Sequence, residues 1–120
     1  MSDKYQLETL AIREGLARSQ FNEHAEALYL TSSYVFDSAA QAAARFSGEE
    51  EGNVYSRFTN PTVSAFQSRL AALEGAESCV ATASGMSAIL SLVMALCSAG
   101  DHVVASAGLF GATQQLLGTI

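Results

Sequence analysis

Three short stretches of this chain combine residue types that could grip a ligand. The first is Ser84-Gly85-Met86-Ser87-Ala88, between a small-residue run and an apolar one. Backbone N–H groups at a helix start are unpaired and lie at the positive end of the helix dipole, so a glycine there lets a phosphate approach closely. A Ser-Gly turn of this kind also serves as a plain helix cap. The second is Tyr55-Ser56-Arg57, a phenol and a guanidinium two positions apart. In an extended stretch both would point to one side and could hold the oxygens of a single phosphate; an exposed Tyr/Arg pair is also ordinary surface. The third is Leu109-Phe110-Gly111-Ala112-Thr113. An aromatic residue just past the carboxyl end of a parallel strand lies where open sheets bind ligands, and its ring can stack on a flat one. The alternative is a core phenylalanine opening a helix. Gly85-Met86-Ser87 also invites comparison with the nucleophile elbow of serine hydrolases, but Ile89 stands where the second glycine belongs. A hydrolase would further need an acid and a histidine, and Asp101-His102, adjacent at a strand start, would face opposite ways.

The elements that must position these residues are legible from pattern. Leu7, Leu10, Ala11 and Ile12 predict a short helix within Leu7 to Leu16, broken at Gly15. Ala27 to Phe36 is rich in aromatic and β-branched residues and reads as extended. Asp37 or Ser38 can cap a helix from Ala39 to Phe46, with Gly48 where a left-handed residue would end it. Glu49 to Asn60 reads as a loop. Asn60-Pro61 then signals a helix start, because proline at the first helical position has the required φ and lacks only a donor unpaired there anyway. Val63, Phe66, Leu70 and Leu73 make one apolar stripe ending at Gly75. Ser78 to Ala83 reads as a short strand, Met86 to Cys97 as a helix apolar on nearly all sides and buried between layers, and His102 to Ser106 as a parallel strand. Strand, helix and strand in that order form a crossover unit. A last helix begins near Gly111 and is expected to run on at Ile120, so the sequence reads as a fragment whose sheet is not closed.

Composition limits the alternatives. Nearly half of the 120 residues are apolar, enough for a core, yet the short clusters of the first sixty could not enclose one alone. The formal charge is −6 and the six basic residues are scattered, which argues against nucleic acid as a partner. Glu49-Glu50-Glu51 reads as a solvated loop. Cys79 and Cys97 lie in apolar segments without metal-ligand spacing and read as reduced core residues. His24 and His102 have no evident partner. Neither a signal peptide nor a membrane span is visible, which favours a cytoplasmic protein.

Tyr55-Ser-Arg-Phe-Thr-Asn-Pro-Thr, Leu73-Glu-Gly-Ala-Glu, Ala83-Ser-Gly-Met-Ser-Ala, Gly100-Asp-His-Val-Val and Leu109-Phe-Gly-Ala-Thr resemble, in order and spacing, the cystathionine γ-synthase-like enzymes of Cys/Met metabolism. The resemblance covers nearly the whole chain. Within that family, Thr9-Leu-Ala-Ile-Arg-Glu-Gly and Glu26-Ala-Leu-Tyr-Leu-Thr-Ser-Ser-Tyr-Val-Phe look most like the sulfhydrylases acting on O-succinylhomoserine; cystathionine γ-synthase, methionine γ-lyase and O-acetylhomoserine sulfhydrylase are the alternatives.

The resemblance implies an α/β fold, the N-terminal part of a fold type I, aspartate aminotransferase-like transferase that uses pyridoxal 5′-phosphate. Residues 1–60 would form an arm that contacts the cofactor of a neighbouring subunit, and 61–120 the start of the cofactor-binding domain. It assigns Tyr55 and Arg57 to the cofactor phosphate of the neighbouring protomer, the Gly85 and Met86 amides to the phosphate of their own, and Phe110 to stacking on the pyridine ring. The enzyme would be a homodimer or homotetramer with shared active sites. Many relatives carry tyrosine at the position of Phe110, and phenylalanine has no hydroxyl for acid–base work; the departure argues against a simple lyase and agrees with γ-replacement, in which succinate leaves Cγ and sulfide adds to give homocysteine. The lysine that anchors the cofactor in this family, and the aspartate on its ring nitrogen, would lie beyond Ile120. The one lysine present is Lys4, so the chain alone is expected to be inactive, and a truncated non-catalytic fragment is the non-enzymatic alternative.

Overall fold

The computed structural model describes residues 5–119. They contain five helices, α1 (Leu7–Arg13), α2 (Ala39–Ser47), α3 (Pro61–Glu74), α4 (Gly85–Leu96) and α5 (Gly111–Leu117), distributed over two compact units that divide between Val80 and Ala81.

In the first unit the helix boundaries follow from local chemistry. Ser38 accepts a hydrogen bond from the Gln41 N–H, while the Gln41 side chain reaches back to the Asp37 N–H at 2.8 Å, so two otherwise orphaned donors at the start of α2 are satisfied reciprocally. At its end the Gly48 N–H reaches the Arg45 carbonyl and the Glu49 N–H the Ala44 carbonyl, the paired bonds of a Schellman turn. Helix α3 begins on the Asn60 side chain with Pro61 behind it and ends in the same kind of turn at Gly75. Of the acidic run, Glu50 is more than solvated: it binds the Arg45 guanidinium at 2.9 Å and the Gln41 amide at 3.2 Å.

Helix α1 packs on α3, but not through the stripe that the sequence suggests. The buried residues of α3 are Ala65 and Ala71, whereas Val63 and Phe66 remain exposed. Small residues win because the chain leaving α1 passes against the α3 backbone: a Cβ on Gly15 would lie 2.5 Å from the Ala65 carbonyl oxygen. Arg69, on the same side of α3, donates to the Glu14 carbonyl at 3.0 Å and to the Glu26 carboxylate at 2.8 Å. Leu70 and Leu73 of the apolar stripe are half-buried.

The expected strands are not formed. Among the described residues the only β pairing is one antiparallel bridge between Ser33 and Tyr55, and residues 78–83 and 102–106 join no ladder. A strand takes half of its hydrogen bonds from each neighbour, and a short β-prone run without neighbours stays merely extended. Helix α4, expected to be buried, has no buried residue, and Val104 is 98% exposed; an all-round apolar helix needs cover on more sides than its own unit supplies. Cys79 and Cys97 are free thiols, half-buried rather than core residues. Helix α5 stops at Leu117 with Gly118 as its cap, short of the expected run to Ile120, which lies outside the described residues. No helix among the described residues is long and apolar enough to cross a membrane.

Gly15 and Gly48 both hold positive φ, +72° and +78°, but a Cβ on Gly48 would meet nothing within 4 Å. Replacing Gly48 by alanine should therefore cost only the left-handed conformation, about 1 kcal/mol, whereas Gly15→Ala should cost at least about 2 kcal/mol more by forcing α1 away from α3. Urea unfolding of the two variants checks the order; equal losses would contradict the packing described. A second expectation concerns acid. The Glu26 carboxyl is held below its ordinary value, chiefly by the hydrogen bond from Arg69 and then by its own backbone N–H, against a smaller opposing effect of desolvation. Its stabilising contribution is therefore complete above the unfolded value near 4.5 and is lost as pH falls through the lower folded one. Glu26→Gln should remove that part of the acid sensitivity, seen as a smaller drop in unfolding midpoint between about pH 6 and pH 3.

Candidate functional site

In the first unit, Tyr55 and Arg57 are brought together, though not as the sequence implies. Residues 55–58 form a turn, with the Phe58 and Thr59 N–H groups both donating to the Tyr55 carbonyl at 2.9 and 3.1 Å. Alternation along an extended strand is therefore not what pairs them. The guanidinium carbon of Arg57 lies 4.9 Å from the centre of the Tyr55 ring and 5.2 Å from that of Phe58, inside the range of cation–π attraction. Both rings and the guanidinium are exposed, so the positive group is held yet accessible.

The turn is fixed by groups to which the sequence reading gave no site role. The Ser56 N–H donates to the Ser32 carbonyl at 2.9 Å, and the Ser56 hydroxyl donates to the Thr31 carbonyl. Thr62 accepts from the Tyr29 N–H at 2.9 Å. Asn60, only 7% exposed, accepts from the Thr62 N–H and donates to both the Tyr29 carbonyl and Ser56 Oγ. Its place before Pro61 signals the cap, but nothing in the local sequence signals the bonds to residues thirty positions away. His24, expected to have no partner that would make it a base or a ligand, lies with its Nε2 3.1 Å from the Arg13 guanidinium.

The second unit holds Gly85, Met86 and Phe110. Ser84 Oγ accepts from the Ser87 N–H at 3.1 Å and the Ser84 carbonyl accepts from the Ala88 N–H at 3.1 Å. The two remaining donors of the first turn of α4, the N–H groups of Gly85 and Met86, have no partner among the described residues. A Cβ at Gly85 would meet nothing within 4 Å, so the approach to these amides is open. Two parallel donors at a positive helix end suit an anion with several oxygens. The start of α5 is tied to the same place: Thr113, one turn beyond Phe110, is buried and its hydroxyl contacts Met86 Sδ at 3.8 Å. Phe110 itself is 73% exposed. Its loop is held by the Gln114 amide, which donates to the Ala107 and Leu109 carbonyls at 2.8 and 2.9 Å, a positioning role with no signature in the sequence.

The family model for Cys/Met metabolism PLP-dependent enzymes matches residues 8–120. An O-succinylhomoserine sulfhydrylase of Pseudomonas aeruginosa is 66% identical over 109 residues, 91% of this chain and 27% of that protein. An L-methionine gamma-lyase of Fusobacterium nucleatum is 44% identical over 114 residues, 95% of this chain and 29% of that protein. A crystal structure of a Campylobacter jejuni protein described as an O-acetylhomoserine (thiol)-lyase, which carries N′-pyridoxyl-lysine-5′-monophosphate, superimposes with a TM-score of 0.89 at 36% identity, covering 97% of this chain and 29% of that one. The chain thus spans about a quarter of the length of the curated relatives it matches, and its fold is that of the N-terminal part of a fold type I α/β enzyme. The chain belongs to the Cys/Met metabolism PLP-dependent enzyme family.

Proposed function

We propose that this chain forms the phosphate-gripping and ring-stacking part of an O-succinylhomoserine sulfhydrylase, the full-length protein replacing succinate by sulfide at Cγ to yield homocysteine. The observation that carries the cofactor reading is the pair of unpartnered N–H groups at Gly85 and Met86, open to approach at a Ser84-capped helix start. These residues fit the phosphate of pyridoxal phosphate. Pyridoxal phosphate, when bound, supplies an electron sink for charge developing on the substrate carbon.

The chain's own residues would act as follows. The Gly85 and Met86 amides donate to phosphate oxygens. Arg57 adds a charge-assisted bond and the Tyr55 hydroxyl a further donor, both reaching the phosphate of a neighbouring protomer, which makes residues 1–60 an inter-subunit arm and 61–120 the opening of the cofactor domain. Phe110 offers its exposed ring as a stacking face. Having no hydroxyl, it moves no proton, so acid–base work at Cγ falls to other groups. The covalent anchor would come from the remaining three quarters or so of a full-length protein of the relatives' size. A cytoplasmic homodimer or homotetramer is the assembly in which such a shared site is complete.

The succinyl substrate rests on the 66% identity to the Pseudomonas sulfhydrylase. The 44% identity to a methionine gamma-lyase supports that activity as the second reading. The test is an assay of the full-length protein with sulfide and either O-succinyl- or O-acetylhomoserine, and separately with methionine alone. Homocysteine formation with release of succinate is the expected result; preference for the acetyl ester, or breakdown of methionine without sulfide, would replace the proposal. In the same protein, Arg57→Ala should weaken pyridoxal phosphate binding about 10- to 100-fold, the loss expected for one charge-assisted hydrogen bond, while leaving pyridoxal binding nearly unchanged.

A further inference from the structure

We infer that Asn60 is a positioning residue for the phosphate grip, acting through Ser56 on the turn that carries Tyr55 and Arg57; the inference rests on the reading that Arg57 holds the cofactor phosphate. Capping α3 needs only the Asn60 Oδ1, which accepts from the Thr62 N–H at 2.9 Å. Aspartate, serine or threonine would cap a helix as well. The Asn60 amide nitrogen is surplus to that task, yet both its hydrogens are used: one reaches the Tyr29 carbonyl and the other Ser56 Oγ, each at 3.0 Å. Ser56 is the residue between Tyr55 and Arg57, and its own hydroxyl and N–H run on to the Thr31 and Ser32 carbonyls.

One buried side chain therefore joins the start of α3, the extended segment around Tyr29 and the middle of the Tyr55–Phe58 turn. Without its nitrogen, Ser56 Oγ loses its donor and the turn keeps only its bonds to Thr31 and Ser32. The Arg57 guanidinium rides on that turn against Tyr55 and Phe58. A displacement of about 1 Å is enough to spoil a charge-assisted grip whose partner is fixed elsewhere.

Asn60→Asp separates the two roles, because it keeps the capping oxygen and removes the two donors at nearly unchanged size. The experiment titrates the apo form of the full-length protein with pyridoxal phosphate and, in parallel, with pyridoxal, following cofactor absorbance. The expected result for N60D is about tenfold weaker binding of pyridoxal phosphate, with pyridoxal affinity within about twofold of the parent and no further loss beyond about twofold when N60D is added to R57A. Equal losses for both ligands, or losses from N60D and R57A that add in full, would overturn the inference and leave Asn60 a cap alone. Should R57A itself not lower the preference for pyridoxal phosphate over pyridoxal, the underlying phosphate reading fails and this inference with it. Where N60D does not fold, Ser56→Ala removes the acceptor of the same hydrogen bond together with the hydroxyl bond to Thr31, so the same selective loss of pyridoxal phosphate binding is expected, at least as large, and equal losses for both ligands would again overturn the inference.

Discussion

Among the described residues the extended run from Ala27 to Ser33 has a single β bridge, Ser33 to Tyr55, and most of its other backbone bonds go to side chains and to a turn. Its residues are exposed, so each such bond replaces one to water and adds only a modest net stabilisation, about 1 kcal/mol. Here the partners come from Ser56, Asn60 and Thr62, whose side chains and backbone meet the polar groups of Ala27, Tyr29, Thr31 and Ser32. The same bonds decide where the Tyr55–Phe58 turn sits and where α3 begins. The bonds that hold this extended segment thus also hold the turn that carries a guanidinium and a phenol, and Ser56, Asn60 and Thr62 of the motif Tyr-Ser-Arg-Phe-Thr-Asn-Pro-Thr make them.

Helix ends were the most legible part of the fold. Ser38, Gly48, Asn60-Pro61, Gly75 and Ser84 act through bonds within a few residues, and each appears where local chemistry puts it. Packing was less legible. Hydrophobic periodicity on α3 points to Val63, Phe66 and Leu70, but the surface that meets α1 is built from Ala65, Ser68 and Arg69 around Gly15. Periodicity finds the face with most to gain from burial, while the face used within this unit is the one that lets two backbones come close. Residues 78–83 and 102–106 failed as strands for a different reason. Their composition favours extension, but a ladder belongs to a pair of segments and not to one.

For the site, the Ser84 turn could be read directly because its chemistry is that of a helix start. Tyr55 and Arg57 do lie side by side, but a turn and two aromatic contacts, rather than strand alternation, bring them together. Asn60 and Gln114 escaped notice as positioning groups. Asn60 carries a local signal, the helix cap, that explains its presence without hinting at its other bonds. Gln114 looks like one more polar residue on a helix, although it ties the Ala107 and Leu109 carbonyls ahead of Phe110.

The two kinds of donor differ in what they need from their surroundings. The Gly85 and Met86 N–H groups are directed by the helix backbone itself, at an end capped by Ser84. A guanidinium at the end of a long side chain carries about 2 kcal/mol of rotamer freedom, which a ligand must suppress on binding. Stacking against Tyr55 and Phe58 removes part of that freedom beforehand. The turn beneath must then be rigid, or the pre-ordering is lost to motion of the loop. The supporting residues differ accordingly: Ser56, Phe58, Asn60 and Thr62 hold the turn under the flexible group, whereas the start of α4 is held by short-range bonds of Thr82, Ser84 and Ser87 and by Thr113 against Met86.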